Sequence, residues 1–167
     1  IDIDESAVRH ATASNARPNT RYLVMDAQNA AFPDGCFDAI ACTHIYEHVP
    51  DARRLVREIH RLLCPGGICF FSAGNRICWN EPHYQLPLLS VVPRFMADRY
   101  LRLSGRGQSY YEHHLTYWGL RKLVSEFELL DYTIKVVEDP LRFHAGEVVR
   151  PGSVQQKVSR LLLSLAY

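Results

Sequence analysis

The feature that most limits what this chain can become is the stretch from Phe32 to Phe71, FPDGCFDAIACTHIYEHVPDARRLVREIHRLLCPGGICFF. It reads in order as loop, strand, loop, helix, turn and strand. Phe37 to Thr43 is a short apolar run bounded by turn residues, which suits a buried strand. Pro50 and Asp51 then open a helix, with the Asp51 carboxylate able to accept from its first free amides. Leu55, Ile59, Leu62 and Leu63 recur at helical spacing and give that helix one apolar face. Leu63-Cys64-Pro65-Gly66-Gly67 stops it, and Ile68 to Ser72 resumes as a second buried strand. Parallel strands need such a crossover, and its hand is right-handed. The fold class is α/β.

The same residues carry a resemblance. Phe32-Pro33-Asp34-Gly35-Cys36-Phe37-Asp38, then Glu47-His48-Val49, then Arg61-Leu62-Leu63-Cys64-Pro65-Gly66-Gly67 resemble class I S-adenosylmethionine (SAM)-dependent methyltransferases. The nearest branch is that of the small-molecule enzymes related to the ubiquinone and menaquinone methylases. Cys64 stands where that pattern usually has Lys. The resemblance runs from Ile1 to about Phe71 and fades to general layout beyond. It implies a Rossmann-like sheet of order 3-2-1-4-5-7-6 with helices on both faces. Residues 1–3 would be strand two, 22–25 strand three, 37–43 strand four, 68–72 strand five and 129–137 strand six. Strand one and its glycine-rich turn would lie before Ile1, and no segment clearly supplies the last strand. Residues 1–167 are therefore expected to be part of a methyltransferase domain, an N-terminally truncated fragment that binds SAM poorly and tends to aggregate.

Ile1-Asp2-Ile3-Asp4 reads as the end of a strand, followed at once by a helix from Glu5 to about Asn15 with Val8 and Ala11 on its inner side. In nucleotide-binding α/β folds the ligand lies beyond the carboxyl ends of the strands, where an acid accepts from ribose hydroxyls. The resemblance puts Asp2 on the ribose of SAM and Ile3 against one adenine face. Helix capping belongs more naturally to Asp4. Tyr22 to Met25 reads as a strand ending in Asp26-Ala27. The resemblance gives Asp26 the adenine amino group and the Ala27 amide a ring nitrogen, with an Asx turn as the structural alternative. Thr43 and His44 would wall the methionine portion. His48 is read first as a side chain that orients its loop or caps the next helix, and second as a general base.

Residues 75–119 form the least generic region and are expected to be a substrate-side insertion. They hold Trp79, Glu81, His83, Tyr84, Tyr110, Tyr111, Glu112, His113, His114, Tyr117 and Trp118, begin irregular, and turn helical around 95–103. Such a lid could exclude water and supply a base, His83, His113 and His114 being the candidates beside His48, with none singled out. The alternative is a packed subdomain whose aromatics are core. Arg94, Arg99, Arg102 and Arg106 are read as a solvated basic face in preference to a membrane contact. Beyond the insertion, the pattern gives a helix over 116–126, a strand over 129–137, a loop over 146–153 and a helix over 158–166.

A net charge of +1 gives no case for nucleic acid. The five cysteines form no C-x-x-C pair, so no metal is expected and free thiols in the cytoplasm are. The expected reaction is methyl transfer from SAM to an O, N or C nucleophile of a small-molecule acceptor, its oligomeric state left open. An NAD(P)-dependent oxidoreductase would share the acidic strand end and the crevice, and a non-catalytic scaffold would share the fold.

Overall fold

The computed structural model describes residues 1–166, with side-chain surroundings through Leu163. The chain separates into two compact units, Ile1–Phe127 and the remainder from Glu128.

The first unit opens with α1 (Glu5–Asn15), whose free amides are capped by Asp4, its carboxylate accepting from Ser6 N at 2.7 Å and Ala7 N at 3.4 Å. Val8 and Ala11 are its half-buried residues, as the spacing predicts. Just before α1, Asp2 pairs in parallel with Val24. Asp2 N donates to Leu23 O at 3.1 Å and Met25 N to Asp2 O at 2.8 Å. The strands expected over 1–3 and 22–25 are thus neighbours of the right sense, yet they contract to a single bridge. The physical reason is lack of burial. Ile1, Ile3 and Val24 are 56%, 72% and 51% exposed, and an isolated two-strand pair is marginal in water.

The crossover follows as β1 (Phe37–Thr43), α2 (Ala52–Leu62) and β2 (Leu63–Ser72), with the strands parallel and in register from Ala39 opposite Ile68 to Thr43 opposite Ser72. Asp51 caps α2, accepting from Arg53 N and Arg54 N at 3.0 and 3.1 Å. Leu55, Val56, Ile59 and Leu62 are its buried residues. At 11 residues α2 would be unstable alone. Burial of those four side chains, worth about 1.5–3 kcal/mol each against exposure, is what holds it. β2 starts without a break. Leu63 N still closes the helix on Ile59 O, and Leu63 already faces Phe37. Residues 64–67 bulge out before the ladder resumes. Gly66 takes φ +80° there, and a Cβ on Gly67 would lie 2.9 Å from Cys64 O and 3.2 Å from Asp38 O, so both glycines are dictated by backbone geometry.

The FPDG motif packs on the end of this helix. Arg61 donates to Phe32 O at 2.9 Å, to Ala30 O at 3.0 Å, and to the carboxylates of Asp34 and Glu58. Gly35 N returns a bond to Arg61 O at 2.9 Å. These residues are a structural joint between the loop and α2.

The insertion builds a core of its own. A hairpin of β3 (Asn80–Glu81) and β4 (Leu86–Pro87) leads into α3 (Arg94–Ser104), and Leu86, Leu89, Ala97, Leu101 and Tyr110 bury against one another. Tyr84 and Tyr100 pack on that cluster, whereas Trp79 and Tyr111 stay 75% and 59% exposed. Then α4 (Tyr117–Leu123), capped by the Thr116 hydroxyl, sends Leu120 and Leu123 to the crossover core of Cys42, Tyr46, Leu55, Ile59 and Leu63. It is shorter than the segment 116–126 expected from the sequence. On β2, Ile68 and Phe70 are 70% and 64% exposed.

The second unit corrects one expectation. Residues 129–137 do not form a strand: Thr133–Glu138 is a helix, α5, followed by α6 (Val154–Ala166). Leu129 and Leu130 are 44% and 70% exposed, so the alternation there buries no face. Asp131 instead turns the chain by accepting from Thr133 N at 2.8 Å. The buried Gln156 of α6 donates to Val137 O at 2.7 Å and accepts from Gly152 N at 2.8 Å.

Candidate functional site

The residues expected at the cofactor sit on the carboxyl ends of the strand segments. Asp2 Oδ1 accepts from Asp4 N at 2.9 Å, and Asp26 Oδ1 from Gln28 N at 2.8 Å, so both close Asx turns. In each, Oδ2 has no partner among the described residues and remains able to accept. Ile3 is exposed, and Ala27 packs against the crossover core. Thr43 ends β1, exposed. His44 follows with φ +53°, its amide donating to Ser72 O at 2.9 Å, so the chain turns sharply where β1 stops. Its Nδ1 lies 3.4 Å from Glu47 Oε1 and its Nε2 3.4 Å from Ser72 Oγ.

The loop after β1 is anchored by Tyr46, which is 1% exposed. Its hydroxyl donates to Gly74 O at 2.7 Å and accepts from Leu115 N at 3.0 Å. Burial raises its phenol above the ordinary value, with the Leu115 bond opposing. His113 N donates to Glu47 O at 2.9 Å, and Arg76 N to Leu115 O at 2.8 Å. Segments around residues 46, 75 and 114 are thus sewn together.

That stitching gathers a buried polar cluster. Glu47 and Glu81 are fully buried, and Glu112 is 5% exposed. The side chain of His114 is 2% exposed, with Nε2 3.5 Å from Glu81 Oε1. The His83 ring stacks on His114 at 6.2 Å and meets His48 edge-on at 4.9 Å. Both Glu47 oxygens, Glu81 Oε1, Glu112 Oε2 and both His114 nitrogens lack a hydrogen-bond partner among the described residues. The other Glu81 oxygen accepts from Tyr84 N at 2.7 Å, which fixes the carboxylate. Burial, then the Glu81 and Glu112 charges, push the Tyr110 phenol well above its usual range. Donor atoms of Glu47, His48 and His83, and of Glu81, His83 and His114, each lie within 4.8 Å of one another.

Of the candidate bases, the structure brings His48, His83 and His114 together. His113 is apart: it is exposed and faces the Arg94 guanidinium, 3.1 Å from its Nε2. His48 does not cap α2, since Asp51 does. Sequence reasoning left Glu47, Glu81 and Glu112 without roles. A signal was present: the insertion repeats Glu-x-His, at Glu81-Pro82-His83 and at Glu112-His113-His114.

The described site thus comprises a parallel crossover, two acidic residues at strand ends and a buried cluster of carboxylates and imidazoles. The profile of the methyltransferase domain family matches residues 1–71 of the chain. Among solved structures, a SAM-dependent methyltransferase from Methanosarcina mazei shares the fold, with TM-score 0.55 and 23% identity over 75% of this chain and 65% of that one. Curated relatives are ubiquinone biosynthesis O-methyltransferases. That of Psychrobacter cryohalolentis is 34% identical over 125 residues, covering 74% of this chain and 45% of the relative. That of Albidiferax ferrireducens is 31% identical over 156 residues, 90% and 54%. The chain spans about half the length of the curated relatives it matches.

Proposed function

We propose that the protein to which this chain belongs transfers the sulfonium methyl of SAM to a hydroxyl of a small-molecule acceptor. The observation that carries the reading is the pair of free acceptor oxygens on Asp2 and Asp26, at the ends of two neighbouring strand segments. Asp2 accepts from the ribose hydroxyls and Asp26 from the adenine amine, while Thr43 and His44 flank the methionine portion. SAM supplies an already activated methyl group, so the protein's main task is to hold donor and acceptor close and in line. A base is required only where the acceptor loses a proton as it attacks. Hydroxyl acceptors are favoured over N or C nucleophiles because the curated relatives carry the name O-methyltransferase. The same family match speaks against nicotinamide chemistry. All five cysteines are free thiols, in keeping with the cytoplasm. No described helix is long and apolar enough to cross a membrane.

The test is calorimetric titration of S-adenosylhomocysteine into the protein expressed from the start of its reading frame. Saturable binding that weakens at least tenfold in Asp2→Ala and in Asp26→Ala is expected. A folded protein that ignores the ligand refutes the proposal.

A further inference from the structure

We propose that Glu81, His83 and His114 form a binding site for one divalent transition-metal cation. The argument starts from cost. Burying a carboxylate or an imidazole without a partner is expensive, and such groups are retained where something satisfies them. Glu81 is fully buried, the His114 side chain is 2% exposed, and Glu81 Oε1 and both His114 nitrogens have no hydrogen-bond partner among the described residues. The two residues nonetheless face each other, with Glu81 Oε1 3.5 Å from His114 Nε2. That separation is too long for a good hydrogen bond. It matches the distance of about 3.4 Å between two ligands bound at about 2.1 Å to a tetrahedral ion.

A third donor completes the set. One nitrogen of the exposed His83 lies within 4.8 Å of the other two ligand atoms. Being exposed, it can adjust by rotamer while the buried pair stays fixed. Two imidazoles and one carboxylate favour Zn²⁺, Mn²⁺, Fe²⁺ or Co²⁺ over Mg²⁺ or Ca²⁺, which prefer oxygen alone. Three protein ligands leave a position open, as catalytic rather than structural sites do.

The surroundings support the ligands. A Cβ placed on Gly74 would lie 3.2 Å from His114 Nδ1 and 4.0 Å from Glu47 Oε1, so these two atoms border the same small space. With Nε2 on the ion, Nδ1 is left free for an outer partner of the kind a metal-bound histidine uses, and Glu47 Oε1 borders the same space. Glycine at 74 is what admits the ring, since the same Cβ would stand 3.1 Å from His114 Cε1. On the other flank, the Tyr84 amide holds Glu81 by its second oxygen. Glu47, His48 and His83 make a rival trio sharing His83. The Glu81 trio is preferred because the His44 imidazole already lies 3.4 Å from Glu47 Oε1, and because His48 is exposed whereas His114 is buried.

The open position would take an oxygen of the acceptor and lower the pKa of its hydroxyl. This use rests on the methyltransferase reading; the binding itself does not. The probe is Co²⁺ alone, titrated into the protein without SAM or acceptor and followed by its visible d–d bands. One saturable site is expected, displaced by Zn²⁺, with affinity falling by roughly tenfold to a hundredfold or more in Glu81→Gln and His114→Gln. His83→Ala, an exposed change that leaves folding intact, must weaken binding as well. Absence of saturable binding overturns the proposal, as does binding retained in all three variants. Loss confined to Glu47→Gln and His48→Ala assigns the ion to the rival trio and likewise overturns it. Because binding of S-adenosylhomocysteine is read separately, a failure here leaves the methyltransferase reading standing.

Discussion

Removing one oxygen from Tyr46 tests whether the site is sewn together as described. In Tyr46→Phe the ring keeps its place against Phe71, 6.0 Å away between centroids, and stays in the crossover core. What goes is the hydroxyl that donates to Gly74 O at 2.7 Å and accepts from Leu115 N at 3.0 Å. Each lost bond is worth about 0.5–1.5 kcal/mol net, and a fully buried group left unpaired costs about 1–3 kcal/mol. Gly74 and Leu115 are only half-buried, so water recovers part of the loss. A total of about 1.5–3 kcal/mol follows, a large share of a typical domain's stability of about 5–15 kcal/mol. Urea unfolding should show a lower midpoint at unchanged slope. Hydrogen exchange at the Leu115 amide should quicken as the 112–115 segment loosens from the loop after β1. A loss below about 0.5 kcal/mol with Leu115 N–H still protected would refute the reasoning.

Two further predictions follow from ionisation. The Arg61 side chain, donating to Glu58, holds that carboxyl below its usual value of 4.5. Its contribution is therefore present above pH 4.5 and lost as pH falls through the depressed folded value, so Glu58→Gln should flatten the acid limb of the stability–pH curve. An unchanged acid limb would count against the Arg61 joint. Burial pushes the Cys42 thiol from 9.0 up to about 12, so its contribution should fade as pH rises from 9 toward 12. At pH 8 the exposed Cys36 should react with a thiol reagent at least tenfold faster than Cys42, read by mass spectrometry of labelled peptides. Equal rates would show that Cys42 is not shielded by the crossover.

The crossover was legible because its signals are local. Asp51 caps whatever helix follows it, the Leu55–Ile59–Leu62 spacing needs only helical geometry, and Pro65-Gly66-Gly67 states its own backbone requirement. Asp2 and Asp26 were legible as strand-end acids for the same reason, together with the Asx turn that Asp26 closes, whereas the turn closed by Asp2 was seen only in the structure. Residues 129–137 were misread because alternation identifies a strand only when a partner edge and a covering face exist. Asp131 could start a turn instead, and Gln156 secures the resulting helix from nineteen residues away along the chain. α4 ended at Leu123, with the Val124 amide closing it on Leu120 O, while Leu120, Leu123 and Phe127 pack on the crossover core.

The amino-acid sequence by itself thus determined the α/β crossover, its caps and turns, and the resemblance to SAM-dependent methyltransferases. Only the tertiary structure decided which of four histidines meet a carboxylate. Glu47, Glu81 and His114 lie on three separate segments, and Tyr46 draws these segments together by binding Gly74 and Leu115 at once. Burial then gives these side chains their chemistry. An acid or an imidazole in sequence is an ordinary solvated group, but one removed from water must find a partner, and that demand exists only once the chain has folded.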